Sequence, residues 1–118
     1  MGIKRLFLGA LAVLAAADGA AEAKPREARC LVKTAGAPDY RGPCRFTPGE
    51  GGSFTIEPAR RRAFGNRVTS ISASLVSPRV AEVRGLTRDG INSRWGEARR
   101  SKRDRACWLG SDFSICVY

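Results

Sequence analysis

The chain has no histidine among its 118 residues. That absence removes Ser-His-Asp triads, Cys-His nucleophile pairs and most zinc or iron sites, all of which use imidazole as base or ligand. None of the four cysteines lies two to four residues from another, so the close pairing of a structural zinc site is missing too. No apolar run approaches the ~20 residues of a membrane-spanning helix; the longest, residues 6–17, has twelve. Acidic residues are few, 11 against 21 basic ones. Beyond residue 23 they are Glu27, Asp39, Glu50, Glu57, Glu82, Asp89, Glu97, Asp104 and Asp112, and no spacing among them singles out a pair for glycoside hydrolysis. These exclusions point to a protein that is not an enzyme and carries no metal and no cofactor. Sustained helical periodicity is also lacking after the first two dozen residues, apart from a single turn over 58–64.

The first 23 residues have the three parts of a secretory signal. Lys4 and Arg5 are the positive start, 6–17 the apolar centre, and Ala21 and Ala23 the small residues of a cleavage site before Lys24. Cysteine 30 follows Glu27, Ala28 and Arg29 and not the small, apolar approach of a lipoprotein signal, so no anchor is expected after cleavage. Cutting after Ala23 removes two charges of each sign and leaves 95 residues with the full net charge of +10. Export delivers those residues to an oxidising compartment, periplasmic or extracellular, where cysteines pair. The expected organisation is a cleaved signal over 1–23, a loose N-terminus over 24–29, and one domain over 30–118.

A domain of that length has a modest core and gains from covalent staples. Cys107 and Cys116 flank Gly110, Ser111 and Asp112; with a turn at Ser111 and Asp112, residues 107 and 116 face each other across an antiparallel ladder, within disulfide reach. Cys30 and Cys44 surround a turn-rich centre at Gly36, Ala37, Pro38 and Asp39. Two stapled hairpins follow, although four cysteines allow three connectivities.

Between the staples the chain alternates with period two. Residues 53–57 alternate up to Pro58; Ile71, Ala73 and Leu75 oppose Ser70, Ser72 and Ser74; Val80, Ala81 and Val83 precede Gly85; Asp89 and Gly90 are a hairpin turn; 91–97 carry Trp95; and Phe113, Ile115 and Val117 alternate again. The fold class is all-β: six or seven antiparallel strands in a small barrel or sandwich stapled by two disulfides. Trp95 and Trp108, with Tyr40 and Tyr118, suggest either a stacking platform for sugars or core packing, and core is favoured because an indole buries so much area.

Seventeen of the 21 basic residues are arginine. They concentrate at Arg60, Arg61 and Arg62, and again at Arg99, Arg100, Lys102, Arg103 and Arg105. Charge runs between strands are ordinarily solvated. The sharper reading is an anion-binding surface, because guanidinium forks match phosphate and carboxylate and a charge of this size attracts polyanions. In a bacterial envelope the partners of that chemistry are lipopolysaccharide phosphates, anionic lipid headgroups and extracellular DNA; no motif for sequence-specific nucleic-acid recognition is present.

The framework of Cys30, then Gly42-Pro43-Cys44, then Trp95-Gly96, Cys107-Trp108 and Ile115-Cys116 resembles a group of uncharacterised small exported proteins of Gram-negative bacteria, chiefly alphaproteobacteria. The resemblance implies the stapled fold and a periplasmic address, and it brings no catalytic residue. Small periplasmic lysozyme inhibitors are similar in architecture alone: their inhibitory loop has no counterpart here, and a charge of +10 repels basic lysozymes. The expected function is a non-catalytic binding module for an anionic envelope component; the alternative is a periplasmic protein inhibitor or adaptor of a secreted enzyme.

Overall fold

The computed structural model describes residues 24–60, 63–65 and 67–118. Residues 1–23, where the signal is expected, and Arg61 and Arg62 lie outside the described residues. Eight strands follow in chain order: β1 Arg26–Thr34, β2 Tyr40–Pro48, β3 Phe54–Pro58, β4 Val68–Ser77, β5 Val80–Thr87, β6 Asn92–Arg100, β7 Cys107–Leu109 and β8 Phe113–Val117. Each pairs antiparallel with its neighbour, and β1 pairs with β8, giving a closed up-and-down barrel. The expected all-β class and both disulfides hold; the strand count is eight instead of six or seven.

The extra ladder comes from places where the pattern is faint. β7 is three residues long. β1 starts at Arg26, so four of the six residues expected to be loose already pair with β2, from Arg26 opposite Phe46 to Arg29 opposite Pro43. The turn expected over 58–64 is occupied up to Pro58 by β3, and the one short helical turn among the described residues is the 3-10 turn Glu50–Gly52.

Closure converts period two into inside and outside. Val32, Ile56, Ile71, Ala73, Ala81, Val83, Ala98 and Ile115 point inward and are buried. Strand β6 breaks the rhythm. Val83 opposes Gly96 while Arg84 opposes Arg94, so Trp95 is the additional residue of a bulge. Gly96 makes the bulge feasible with a φ of 114°, a region that side chains disfavour. Trp95 is thereby turned over Gly85: a Cβ at Gly85 would lie 2.7 Å from three separate indole atoms, so the ring face covers that glycine.

The two disulfides sit on different sides of the wall. Cys107 and Cys116 are directly opposite one another, Cα atoms 3.9 Å apart, and the neighbouring pair Trp108 and Ile115 turns into the core. Cys30 and Cys44 are diagonal partners: Cys30 opposes Gly42, Cys44 opposes Ala28, and their Cα atoms are 5.7 Å apart. This second bridge is part of the central cluster, beside Tyr40, whose hydroxyl donates to the Pro43 carbonyl.

The placement predicts an order of importance. Either bridge replaced by two alanines loses loop-closure stabilisation of about 3 kcal/mol. The Cys30→Ala, Cys44→Ala variant also leaves an unfilled volume in the core. Denaturant unfolding is expected to show the larger loss for that variant than for Cys107→Ala with Cys116→Ala; the reverse order would contradict the interior position.

Candidate anion-binding site

In a closed meander alternate connections fall at the same end of the barrel. The 78–79 turn between β4 and β5 and the 101–106 loop between β6 and β7 therefore meet, and they bring together Arg79, Arg100, Lys102 and Arg105. These four, with Pro78 and Ser101, line a depression of about 530 Å³. No carboxylate lines it, and among the described residues none of the four basic side chains makes an ion pair.

The loop is held in one shape by its own short polar residues. The Ser101 hydroxyl accepts the Arg103 and Asp104 amides, each at 3.1 Å. The Ser101 amide donates to the Cys107 carbonyl, and Cys107 returns a bond to the Asp104 carbonyl. Asp104, the one acid of the loop, is turned away from the arginines. Its carboxylate accepts the Ala106 amide at 3.0 Å and the Tyr118 hydroxyl at 2.6 Å. The arginines are left uncompensated as a result.

Arg100 is the most constrained of the four. Its Nε donates to the Arg105 carbonyl at 2.8 Å, its amide donates to the Arg79 carbonyl at 2.9 Å, and its guanidinium lies 5.2 Å from the centre of the Trp108 ring. Nearby, Arg26 lies 4.5 Å over the Phe46 ring. Phe46, Phe54 and Trp108 form a row with centroids 5.3 and 6.5 Å apart, so this end of the core is roofed by cations on aromatic faces. Four guanidinium or ammonium groups around a depression of this size suit an anion with several phosphate or carboxylate oxygens. Among the described residues no three His, Cys, Asp or Glu side chains converge as a metal site would require.

Of the eight basic residues the sequence nominated, the structure gathers three. Arg99 points to the outer wall, 3.6 Å from Glu97. Arg103 engages the loop through its amide and does not line the depression. Arg60 lies elsewhere, beside Glu27, Arg29 and Tyr118, and Arg61 and Arg62 lie outside the described residues. The second run is not wholly a loop, since Arg99 and Arg100 belong to β6. Arg79 was missed because it stands alone in the sequence; the signal was topological, a turn two connections away in a meander. The aromatic platform does not form: Tyr40 and Trp108 are core, Trp95 is packed against the core, and Tyr118 is bound to Asp104.

The Asp104–Tyr118 contact sets a pH window. The Tyr118 hydroxyl, and next the Ala106 amide, hold the Asp104 carboxyl below its ordinary value of 3.8 against a smaller effect of burial. The same bond, with burial and the Asp104 charge, raises Tyr118 above its ordinary 10.0. A depressed carboxyl stabilises fully above its ordinary value and stops doing so as the pH falls through the lowered one. A raised phenol stabilises fully below its ordinary value and stops as the pH rises through the raised one. Amide exchange in 101–106 is therefore expected to be slowest between those limits after correction for intrinsic rates. In Tyr118→Phe the Asp104 carboxyl carbon is expected to titrate nearer its ordinary value; an unchanged titration would rule out the bond.

No protein-family model, curated protein or solved structure matches the chain, so its geometry carries the functional argument.

Proposed function

We propose that this chain is an exported binding module, non-catalytic, for an anionic component of the bacterial envelope, held at one end of the barrel by Arg79, Arg100, Lys102 and Arg105. The observation that carries the reading is the uncompensated depression: three cations from two connections and Arg100 from the end of β6, no acid in the lining, and Asp104 committed to Tyr118. The signal segment and the two disulfides support the periplasmic or extracellular address, since such bridges persist where the surroundings are oxidising. Phosphate-bearing ligands suit the site best, because a guanidinium presents two parallel donors to two phosphate oxygens. Lipopolysaccharide and phosphatidylglycerol are the abundant carriers of that chemistry in such an envelope.

The test is binding of the oxidised chain, residues 24–118, to vesicles of phosphatidylcholine with and without phosphatidylglycerol, and to lipopolysaccharide, over a series of salt concentrations. Affinity is expected to need the anionic component and to fall steeply with salt. Replacing Arg79, Arg100, Lys102 and Arg105 with Gln is expected to weaken binding by about two to three orders of magnitude, at ~1 kcal/mol per basic residue. Replacing Arg60 and Arg103 with Gln is expected to cost much less per charge. Equal loss per charge in the two variants would reduce the depression to part of a diffuse field and overturn the site. One secreted protein retained from an envelope extract at high salt, with no vesicle binding, would replace the reading with that of an inhibitor or adaptor.

A further inference from the structure

The opposite end of the barrel is built differently. There residues 35–38 and Asp112 of two connections, Thr87 of β5, Arg94 of β6 and the described residues 64, 65 and 67 surround a cup of about 490 Å³ whose lining includes the buried Val32, Phe64 and Phe113. That volume is in the range of small-molecule sites. Its floor is Val32, Phe64, Val68, Trp95 and Phe113. The bulge in β6 contributes Trp95 to this lining. Trp95 lies against Gly85, with the Phe113 ring 5.4 Å away at 63°. Phe64 meets the Tyr40 ring edge-on at 4.8 Å and stays in the floor. An indole that is only half buried, lying along the wall of an aromatic cup, offers an edge and part of a face to a planar guest.

Both arginines that line the cup are already paired. Arg67 pairs with Asp89 at 2.5 Å across two connections, and Arg94 makes a two-point contact with Glu82 at 2.7 and 2.8 Å. The floor contains no ionisable group. Thr34 and the exposed Asp112 supply hydrogen-bonding oxygens at the rim. We infer that the cup is a second binding site, for a small uncharged molecule built on a planar apolar ring system with a hydrogen-bond donor at its edge. It is separate from the basic end and stands whether or not that end binds anions.

N-phenyl-1-naphthylamine has this chemistry: neutral, planar, with one N–H. Titrated into the isotopically labelled, oxidised chain, it is expected to bind one to one with no dependence on salt. The indole N–H resonance of Trp95 should move while that of Trp108, at the other end, stays still. Thr34 pairs with Phe113 in the β1–β8 ladder, so Thr34→Phe places a ring in the mouth of the cup. That variant is expected to weaken binding by about tenfold or more. The Gln variant of the basic end should bind the probe normally. Absence of saturable binding, or movement of Trp108 instead of Trp95, would overturn the inference. So would unaltered affinity in a folded Thr34→Phe protein, and the wild-type resonances decide the matter should that variant not fold.

Discussion

Pairing of the first strand with the last is the constraint on which the rest of this structure depends. Leu31 opposes Cys116 and Val32 opposes Ile115 across more than 80 residues of intervening chain, and Arg29 and Tyr118 extend the seam with reciprocal backbone bonds. Closing so long a loop carries an entropic cost that local hairpins avoid. The disulfides flank the seam: one ties β1 to β2, the other ties β8 to β7. Each strand that must find a distant partner is already held in register by a covalently fixed neighbour. A closed sheet then has no exposed edge to pair with another molecule.

Closure also sorts the connections into two ends with opposite chemistry. At one, guanidinium groups of Arg26 and Arg100 roof the rings of Phe46 and Trp108, and among the described residues Arg79, Arg100, Lys102 and Arg105 have no carboxylate partners. At the other, Arg67 and Arg94 are paired and the interior opens through an aromatic cup. Exposed ion pairs contribute only about 0–1 kcal/mol to stability. Their consequence here is electrostatic: they leave the excess positive charge weighted toward the end where it is unpaired.

How far the sequence foretells this follows from where parity is preserved. In β4 the alternation of Ile71, Ala73 and Leu75 with serines names the inward face, and the spacing of Cys107 and Cys116 fixes the register of the last hairpin. In β1 the inward positions begin with Ala28 among Arg26, Glu27 and Arg29, so one small residue carries the whole apolar signal and the strand looks like a loose terminus. In β6 the bulge inserts Trp95 and shifts parity, which no periodic pattern can anticipate. A second irregularity between Leu75 and Ser77 leaves Val76 unpaired and exposed, against its apolar character. The basic site was half legible for a related reason. A run of arginines marks Arg100, Lys102 and Arg105, but their convergence with Arg79 belongs to the meander, and the run itself does not separate Arg99, spent on Glu97, from Arg100.

In the proposed anion site the part each of the four cations would play follows from how it is held. Arg100 has its Nε on a backbone carbonyl and its plane over an indole, so much of its rotamer freedom is lost before any ligand arrives. Ordering a long side chain on binding costs about 0.5–1.5 kcal/mol, and a pre-ordered one avoids most of that. Arg79, Lys102 and Arg105 are exposed and without ion pairs among the described residues; they supply attraction, with freedom still to lose. For the proposed anionic ligand Arg100 would therefore set the geometry, and the remaining charges the strength and the salt dependence of the encounter. The same reasoning gives Asp104 its role: facing the depression it would cancel a cation, whereas on Tyr118 it fixes the loop that presents them.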